Sequence, residues 1–286
     1  MKSLPQDMES IGVRDVTSFT LCLNTSTIRP QPLLEKIRLT HEAGFEAIEL
    51  WANDIYEYVG RGGEVRDVER ALADTGLKVP SLISVRGWGE AIPEEYPIVL
   101  DEVKRRFELA ARLGVTWVVC SPPRQPCDVN QIVARYRDLL QLGTQIGVRP
   151  TFEYISYFRS ISSLPQAWQV VQATCDPRAT VIVDAFHTYN SHSTLDDLRS
   201  VPGNRISHYH IDDAAPDKPA GQQTDPDRLM PGDGPIDLLA ELRVLREIGY
   251  HGAISLELFH PPLWQEQPQD VLRCGYERLR ALLAAL

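Results

Sequence analysis

The chain has 286 residues, of which 43% are hydrophobic and 24% are charged, so a disordered protein is not indicated. This length allows one large α/β domain or two smaller ones. The formal net charge of −10 disfavours nucleic-acid phosphates and anionic membrane surfaces as partners. We therefore expect a small-molecule substrate, with no nucleic-acid and no membrane partner.

The cysteines and the N-terminus bear on the cellular compartment. The number of cysteines is five, and no two of them form a CxxC pair, which favours a reducing compartment. The first residues, MKSLPQDMESIGVRD, contain no apolar segment typical of a signal peptide. No run of apolar residues is long enough to predict a membrane span. These features predict a cytoplasmic protein, and they leave open whether it is a monomer or a homo-oligomer.

Strand-like and helix-like segments alternate along most of the chain. Residues 1–16 form a polar lead that we expect to be loosely ordered, and residues 17–286 carry the alternation. Several helix-like segments end at a glycine before the next strand, as in EAGFEAI, RLGVTWV and QIGVRPT. The pattern predicts a single (β/α)8 barrel, the TIM barrel fold, over residues 17–286. Its strand-like runs are 17–24, 45–51, 78–85, 115–121, 148–155, 179–186, 205–211 and 253–259.

The last four predicted strands each end in a side chain that can bind a metal: Glu153, Asp184, His210 and Glu257. Since the carboxyl ends of parallel barrel strands converge at one mouth, we expect these side chains to meet there. Three carboxylates and an imidazole in a dry site are costly unless a divalent cation neutralises them. Mixed carboxylate and imidazole ligation favours manganese, with zinc, cobalt and magnesium as alternatives. Taken alone, Glu153 would more simply form a structural ion pair.

Other polar residues near the predicted mouth are candidates for contacting the substrate. His187 follows Asp184 by three residues. It is a metal ligand, a capped loop histidine, or a residue that hydrogen-bonds the substrate or a metal-bound water, and we favour the last because it lies past the strand end. Glu49 and Asn24 end the second and first strands, and for Glu49 a structural ion pair is an equal alternative.

The longest loop, residues 212–235, follows the seventh strand and contains one arginine, Arg228. A long loop at the mouth of a barrel usually covers the active site, so we expect Arg228 to donate hydrogen bonds to the substrate. Alternatively, Arg228 only offsets the aspartates of the same loop. None of the lysines ends a strand, which disfavours a Schiff-base aldolase.

The order Glu153, Asp184-x-x-His187, His210, Glu257 resembles that of the xylose isomerase-like TIM barrels, the sugar phosphate isomerase/epimerase superfamily. The segments HIDD, TDPDR, PGDG, REIGY and SLELF in the last third strengthen the resemblance. It implies one divalent metal bound by Glu153, Asp184, His210 and Glu257, with substrate contacts from His187 and Arg228. Endonucleases of the same superfamily use three zinc ions and many histidines. The absence of any histidine between His41 and His187 excludes that site here.

The resemblance implies a metal-dependent isomerase or epimerase of a keto-sugar or inosose, a polyol ketone. Such an enzyme moves a proton between neighbouring carbons of a hydroxy-ketone through an enediolate that a cation stabilises. Glu153 and Glu257 lie on non-adjacent strands and are the expected proton carriers. The same groups could expel a β-hydroxyl, which makes a dehydratase of an inosose or of 3-dehydroshikimate the alternative. A non-catalytic polyol-binding barrel is disfavoured because the set of metal-ligand side chains is complete.

Overall fold

The computed structural model describes residues 19–286, so the predicted lead at residues 1–16 lies outside the described residues. Within them, eight parallel strands close into a barrel in the order β1-β2-β3-β4-β5-β6-β7-β10, with β10 pairing back onto β1. The predicted single (β/α)8 barrel is confirmed. The strands are β1 Thr20–Asn24, β2 Ala47–Trp51, β3 Ser81–Val85, β4 Trp117–Cys120, β5 Arg149–Phe152, β6 Thr180–Asp184, β7 Ile206–Ile211, β8 Asp213–Ala214, β9 Arg228–Leu229 and β10 Ala253–Leu256.

Helices cover the outside of the barrel, which explains why the strands are apolar on both faces. Every residue of β3, β6, β7 and β10 is buried, as expected for a parallel sheet. The α-helices are α1 Leu33–Glu42, α2 Ala52–Gly60, α3 Val65–Thr75, α4 Tyr96–Arg112, α5 Val129–Ile146, α6 Leu164–Ala173, α7 Ala185–Asn190, α8 Leu195–Arg199, α9 Leu238–Glu247 and α10 Pro268–Ala284. Short 3-10 segments lie at Thr25–Ile28, Gly203–Arg205, Asp225–Asp227 and Leu263–Gln265. No helix in residues 19–286 has both the length and the apolar character needed to cross a bilayer.

Glycines end the helices where the sequence predicted breaks. Gly76 and Gly147 follow α3 and α5 with φ of 68° and 94°, a left-handed conformation that glycine adopts without a steric penalty. These stops turn each chain segment back toward the next strand. They therefore keep the carboxyl ends of the strands at one mouth of the barrel.

The long loop after β7 folds back over that mouth as an antiparallel ribbon of β8 and β9. Asp213 holds the ribbon to the following turn, because its carboxylate accepts hydrogen bonds from the backbone N–H groups of Gly232 and Ile236, each at 3.0 Å. Arg228, at the start of β9, is only 1% exposed. The loop therefore places its arginine inside the barrel mouth rather than on the surface.

Candidate functional site

The register of the barrel brings three of the predicted metal ligands together. Asp184 on β6 pairs with His210 on β7, and His210 pairs with Ser255 on β10, two residues before Glu257. His210 Nδ1 lies 3.1 Å from Glu257 Oε2 and 3.5 Å from Asp184 Oδ2. All three side chains are buried. The carboxylates therefore lie close to the imidazole in a place that solvent hardly reaches.

These three residues fit a divalent cation. Asp184, His210 and Glu257 offer ligand atoms that lie within 4.8 Å of one another. His210 Nδ1 has no hydrogen-bond partner among residues 19–286, although two carboxylates lie nearby. An unpartnered buried nitrogen between two carboxylates is the environment that a metal ion would satisfy. Glu153 lies outside this group of atoms, and its role as a fourth ligand stays a prediction.

The second nitrogen of His210 is held from below by Glu49. His210 Nε2–H donates to Glu49 Oε2 at 3.0 Å, and His208 Nε2 lies 3.0 Å from Glu49 Oε1. The hydroxyls of Ser81 and Ser255 also donate to this carboxylate. Burial alone would raise the pKa of Glu49, but the charges of His210 and His208 hold it well below its usual range. A carboxylate in this place fixes the orientation of a ligand histidine and directs its other nitrogen to the metal.

Asn24, the last residue of β1, bridges the carboxylates of Glu49 and Glu257. Its Nδ2 group donates to Glu257 Oε1 at 2.7 Å and to Glu49 Oε2 at 3.3 Å. Its Oδ1 atom accepts from the indole N–H of Trp51 at 3.0 Å. Asn24 and Glu49 were predicted to contact the substrate. The structure places both fully buried beside the other site residues, and neither lines the cavity above.

Glu153 follows β5 and lines the same cavity as Glu257. Ser121, just after β4, donates to Glu153 Oε2 at 2.7 Å. Burial, followed by the negative charge of Glu257, raises the pKa of Glu153 to about 7. A carboxyl group that titrates near neutral pH can both accept and release a proton during a reaction.

Arg228 supplies the positive charge at the mouth. Its Nη1 atom lies 2.9 Å from Asp184 Oδ2 and also bonds Asp212, while Nη2 lies 3.5 Å from Glu257 Oε2. Burial alone would raise the pKa of Asp184, but Arg228 holds it below its usual range. Asp184 therefore stays ionised, as a metal ligand must.

His187 is held at the cavity by contacts to both of its ring nitrogens. Asp184 caps α7 by accepting from the backbone N–H of His187 at 2.7 Å, which places the imidazole at the cavity. Arg228 Nη2 donates to His187 Nε2 at 3.1 Å, while His187 Nδ1 lies 3.1 Å from Ser156 Oγ and 3.4 Å from the backbone nitrogen of Ser156. Burial lowers the pKa of His187, which favours the neutral imidazole.

A cavity of about 420 Å³ lies above these groups, and its lining includes Glu153, His187, Arg228 and Glu257. Trp51 and Phe259 form an apolar wall, with ring centroids 5.8 Å apart and planes at 87°. This size and mixture of apolar walls with a few polar groups are typical of a small-molecule site.

Sequence reasoning missed three contributors to the site. Ser121 follows β4 at the position that Glu153 occupies after β5, so its place at a strand end was a usable signal. Asp212 lies two residues after His210 and accepts from the backbone N–H of Phe186 at 3.0 Å. Phe186 itself stacks on Arg228, whose guanidinium carbon lies 4.7 Å from the ring centroid. No sequence pattern indicated that last contact.

A sequence model of the xylose isomerase-like TIM barrel matches residues 37–282 of the chain. The chain belongs to this family. The resemblance of its motifs to this family is confirmed. The segments HIDD, TDPDR, PGDG, REIGY and SLELF also resemble 2-keto-myo-inositol isomerase within the family, and similar proteins confirm this resemblance as well. The inosose isomerase of Bacillus velezensis is 26% identical over 273 residues, which cover 92% of this chain and 97% of that protein.

Two further similar proteins show the range of the family. The 3-dehydroshikimate dehydratase of Pseudomonas putida is 29% identical over 234 residues, which cover 80% of this chain and 36% of that protein. The crystal structure of the IolI protein with a bound zinc atom superposes with a TM-score of 0.88 at 24% identity, covering 93% of this chain and 99% of that one. This likeness shows that the two proteins share their fold.

Proposed function

We propose that this protein is a metal-dependent isomerase or epimerase of a keto-sugar or inosose, acting by proton transfer through an enediolate. The observation that carries the proposal is the pair of carboxylates, Glu153 and Glu257, that line one cavity beside the ligand group of Asp184 and His210. Similarity to the inosose isomerase of Bacillus velezensis supports the same reaction class.

In the proposed site, Asp184, His210 and Glu257 hold one divalent metal, with Glu153 as the fourth ligand. Manganese is the expected ion, and zinc, cobalt and magnesium are the alternatives. When bound, the metal supplies Lewis-acid stabilisation of negative charge on the substrate oxygens. Zinc gains support from its presence in the structure of the IolI protein.

The proton transfers are assigned to the two glutamates. Glu153, whose pKa of about 7 suits a proton carrier, removes the proton from the carbon beside the carbonyl. Glu257 returns a proton to the neighbouring carbon of the enediolate. Arg228 and His187 line the same cavity and orient the hydroxyl and carbonyl oxygens. The wall of Trp51 and Phe259 keeps water from the reacting carbons.

A dehydratase of a related polyol ketone is the second candidate. The observation in its favour is the similarity to the 3-dehydroshikimate dehydratase of Pseudomonas putida over 80% of this chain. The same base would remove the proton, and a protonated carboxyl group would then donate a proton to the departing hydroxyl as water leaves.

The test is incubation of metal-loaded protein with inososes, ketohexoses and 3-dehydroshikimate in deuterated water, followed by mass spectrometry. Deuterium uptake without loss of water identifies an isomerase or epimerase, and loss of water identifies a dehydratase. The absence of both with every compound would contradict an enzyme of this class and favour a polyol-binding barrel. The Glu153→Gln variant is the control for deuterium exchange that does not depend on the proposed base.

We also propose a cytoplasmic location. The support is that all five cysteines are free and that Cys22 and Cys120 are buried in the barrel, where neither has a disulfide partner.

A further inference from the structure

Three arginines that line the outer part of the cavity have no carboxylate partner in the part of the chain that the structure describes. Arg29 follows β1, Arg86 follows β3 and Arg124 follows β4, and all three are exposed. None of them forms an ion pair with a carboxylate of residues 19–286. Within the same described residues, the only hydrogen bond made by the three guanidinium groups is from Arg86 Nε to Ser84 Oγ at 3.2 Å. The guanidinium groups therefore keep most of their N–H donors available to a ligand.

Aromatic rings at the cavity hold two of these arginines in place. The guanidinium carbon of Arg124 lies 5.2 Å from the ring centroid of Phe158, and that of Arg29 lies 6.0 Å from the ring of Trp264. Both rings line the same cavity. Stacking of this kind orients the planar guanidinium while its N–H edge stays free to bind an oxyanion.

The position of these three arginines separates them from the other surface arginines. In a chain whose acidic residues outnumber its basic ones by 39 to 29, many surface arginines, such as Arg38 and Arg112, pair with a glutamate. Others, such as Arg70 and Arg243, lack an ion pair within the described part of the chain, but they lie on the outer helices α3 and α9 and do not line the cavity. The three arginines at the cavity come from three different loops.

The two ends of the cavity thus differ in charge. The deep end carries Glu153 and Glu257 beside the ligand group, and there Arg228 is already bonded to carboxylates. The outer end carries Arg29, Arg86 and Arg124, which have no ion pair within residues 19–286, whereas Asp225 of the same lining is bonded to Tyr157 and Arg228. A neutral polyol would bind at the deep end and would offer no negative charge to the three arginines of the outer end, which we call the arginine rim.

We propose that the natural substrate is an anionic hydroxy-ketone, whose carboxylate or phosphate group binds Arg86, Arg124 and Arg29 while its hydroxy-ketone end reaches Glu153 and Glu257. The assignment of the deep end rests on the proposed function. Arginine suits the outer end because its planar fork matches the two oxygens of a carboxylate or phosphate.

Binding to the metal-loaded protein tests the proposal without requiring turnover. Isothermal titration compares matched probes: fructose with fructose 6-phosphate, and myo-inosose with 3-dehydroshikimate, with inorganic phosphate as a minimal anion. We expect wild-type protein to bind at least one anionic member about 10–100-fold more tightly than its neutral counterpart, the range of a charged hydrogen bond. Tighter binding of fructose 6-phosphate or of 3-dehydroshikimate then identifies whether the arginine rim binds a phosphate or a carboxylate.

The variant Arg86→Gln/Arg124→Gln should lose this preference and bind neutral probes as the wild type does. Arg243→Gln, which removes one charge from an exposed arginine on α9, is the control, and it should keep the preference. Equal affinity for neutral and anionic probes in the wild type, no binding of any anionic probe, or an unchanged preference in the double variant would each overturn the proposal. Failure of the proposed function would appear separately, as an absence of deuterium exchange with every compound.

Discussion

Replacing Arg228 with alanine tests how the buried charges at the barrel mouth are balanced. The side chain is 1% exposed and bonds Asp184, Asp212 and, at 3.5 Å, Glu257. Its removal leaves these carboxylates buried without their cation. Breaking a buried ion pair from one side costs about 3–5 kcal/mol. With an unfolding entropy of about 2.1 cal/mol/K per residue, that loss lowers the melting temperature of a protein of this size by about 5–8 °C. If Arg228 only donated hydrogen bonds to the substrate, as the sequence predicted, its removal would lower activity with little change in stability.

Thermal unfolding of metal-free protein, followed by circular dichroism, measures this effect. Arg228→Lys keeps the positive charge but lacks the planar guanidinium group that bonds several carboxylates at once. Its melting temperature should lie between those of the wild type and Arg228→Ala. Arg243→Ala removes an exposed arginine on α9 and should change stability by no more than about 0.5 kcal/mol. Manganese should recover part of the loss in Arg228→Ala, since a cation at Asp184 and Glu257 replaces the missing charge. A metal-free Arg228→Ala protein that melts within about 2 °C of the wild type, well below the expected shift, would show that Arg228 does not balance these carboxylates.

Two further predictions concern titratable carboxyl groups. Glu153→Gln and Glu257→Gln should each lower turnover by about 10²–10⁴-fold, the size of an acid–base contribution, and near-normal turnover at matched metal content would remove that glutamate from the mechanism. Glu241 on α9 is buried and accepts from the hydroxyl of Tyr209 at 2.7 Å; burial, with the charge of Asp184 adding to it, raises its pKa to about 8. Since the pKa of Glu241 is higher in the folded state than its ordinary value of 4.5, stability should be highest below about pH 4.5 for this group and fall as the pH rises to about 8. Glu241→Gln should remove this pH dependence of the unfolding free energy. A pKa difference of roughly 3.5 units corresponds to a change of up to about 5 kcal/mol between pH 4.5 and 8. Parallel pH profiles of the unfolding free energy, measured with denaturant, would contradict the assignment.

Much of the fold and part of the site follow from the sequence because each depends on local pattern. Apolar runs separated by amphipathic segments determine the barrel, and glycine stops such as Gly147 mark the turns. In a parallel barrel the carboxyl ends of the strands meet at one mouth, whatever the details of packing. The juxtaposition of Asp184, His210 and Glu257 could therefore be predicted before any coordinates were known.

The remaining features depend on tertiary contacts that no local pattern encodes. Glu49 was predicted to end the second strand, but β2 continues to Trp51, so Glu49 lies within the strand and below the site, against His208 and His210. Glu153 follows the last residue of β5 and faces the cavity. The exact end of a strand depends on its pairing with neighbouring strands, which the pattern of one segment does not reveal. Likewise, the burial of Arg228 depends on the pairing of β8 with β9.

The most direct measurement follows deuterium exchange into the reactive substrate as manganese is added back to metal-stripped protein. We predict no exchange without metal and a rise to a plateau at one manganese ion per chain. The ligand variant Asp184→Asn should need a large excess of metal or remain inactive. Full-rate exchange in the stripped protein, or none at any metal concentration with any compound of the panel, would contradict a metal-dependent isomerase or epimerase.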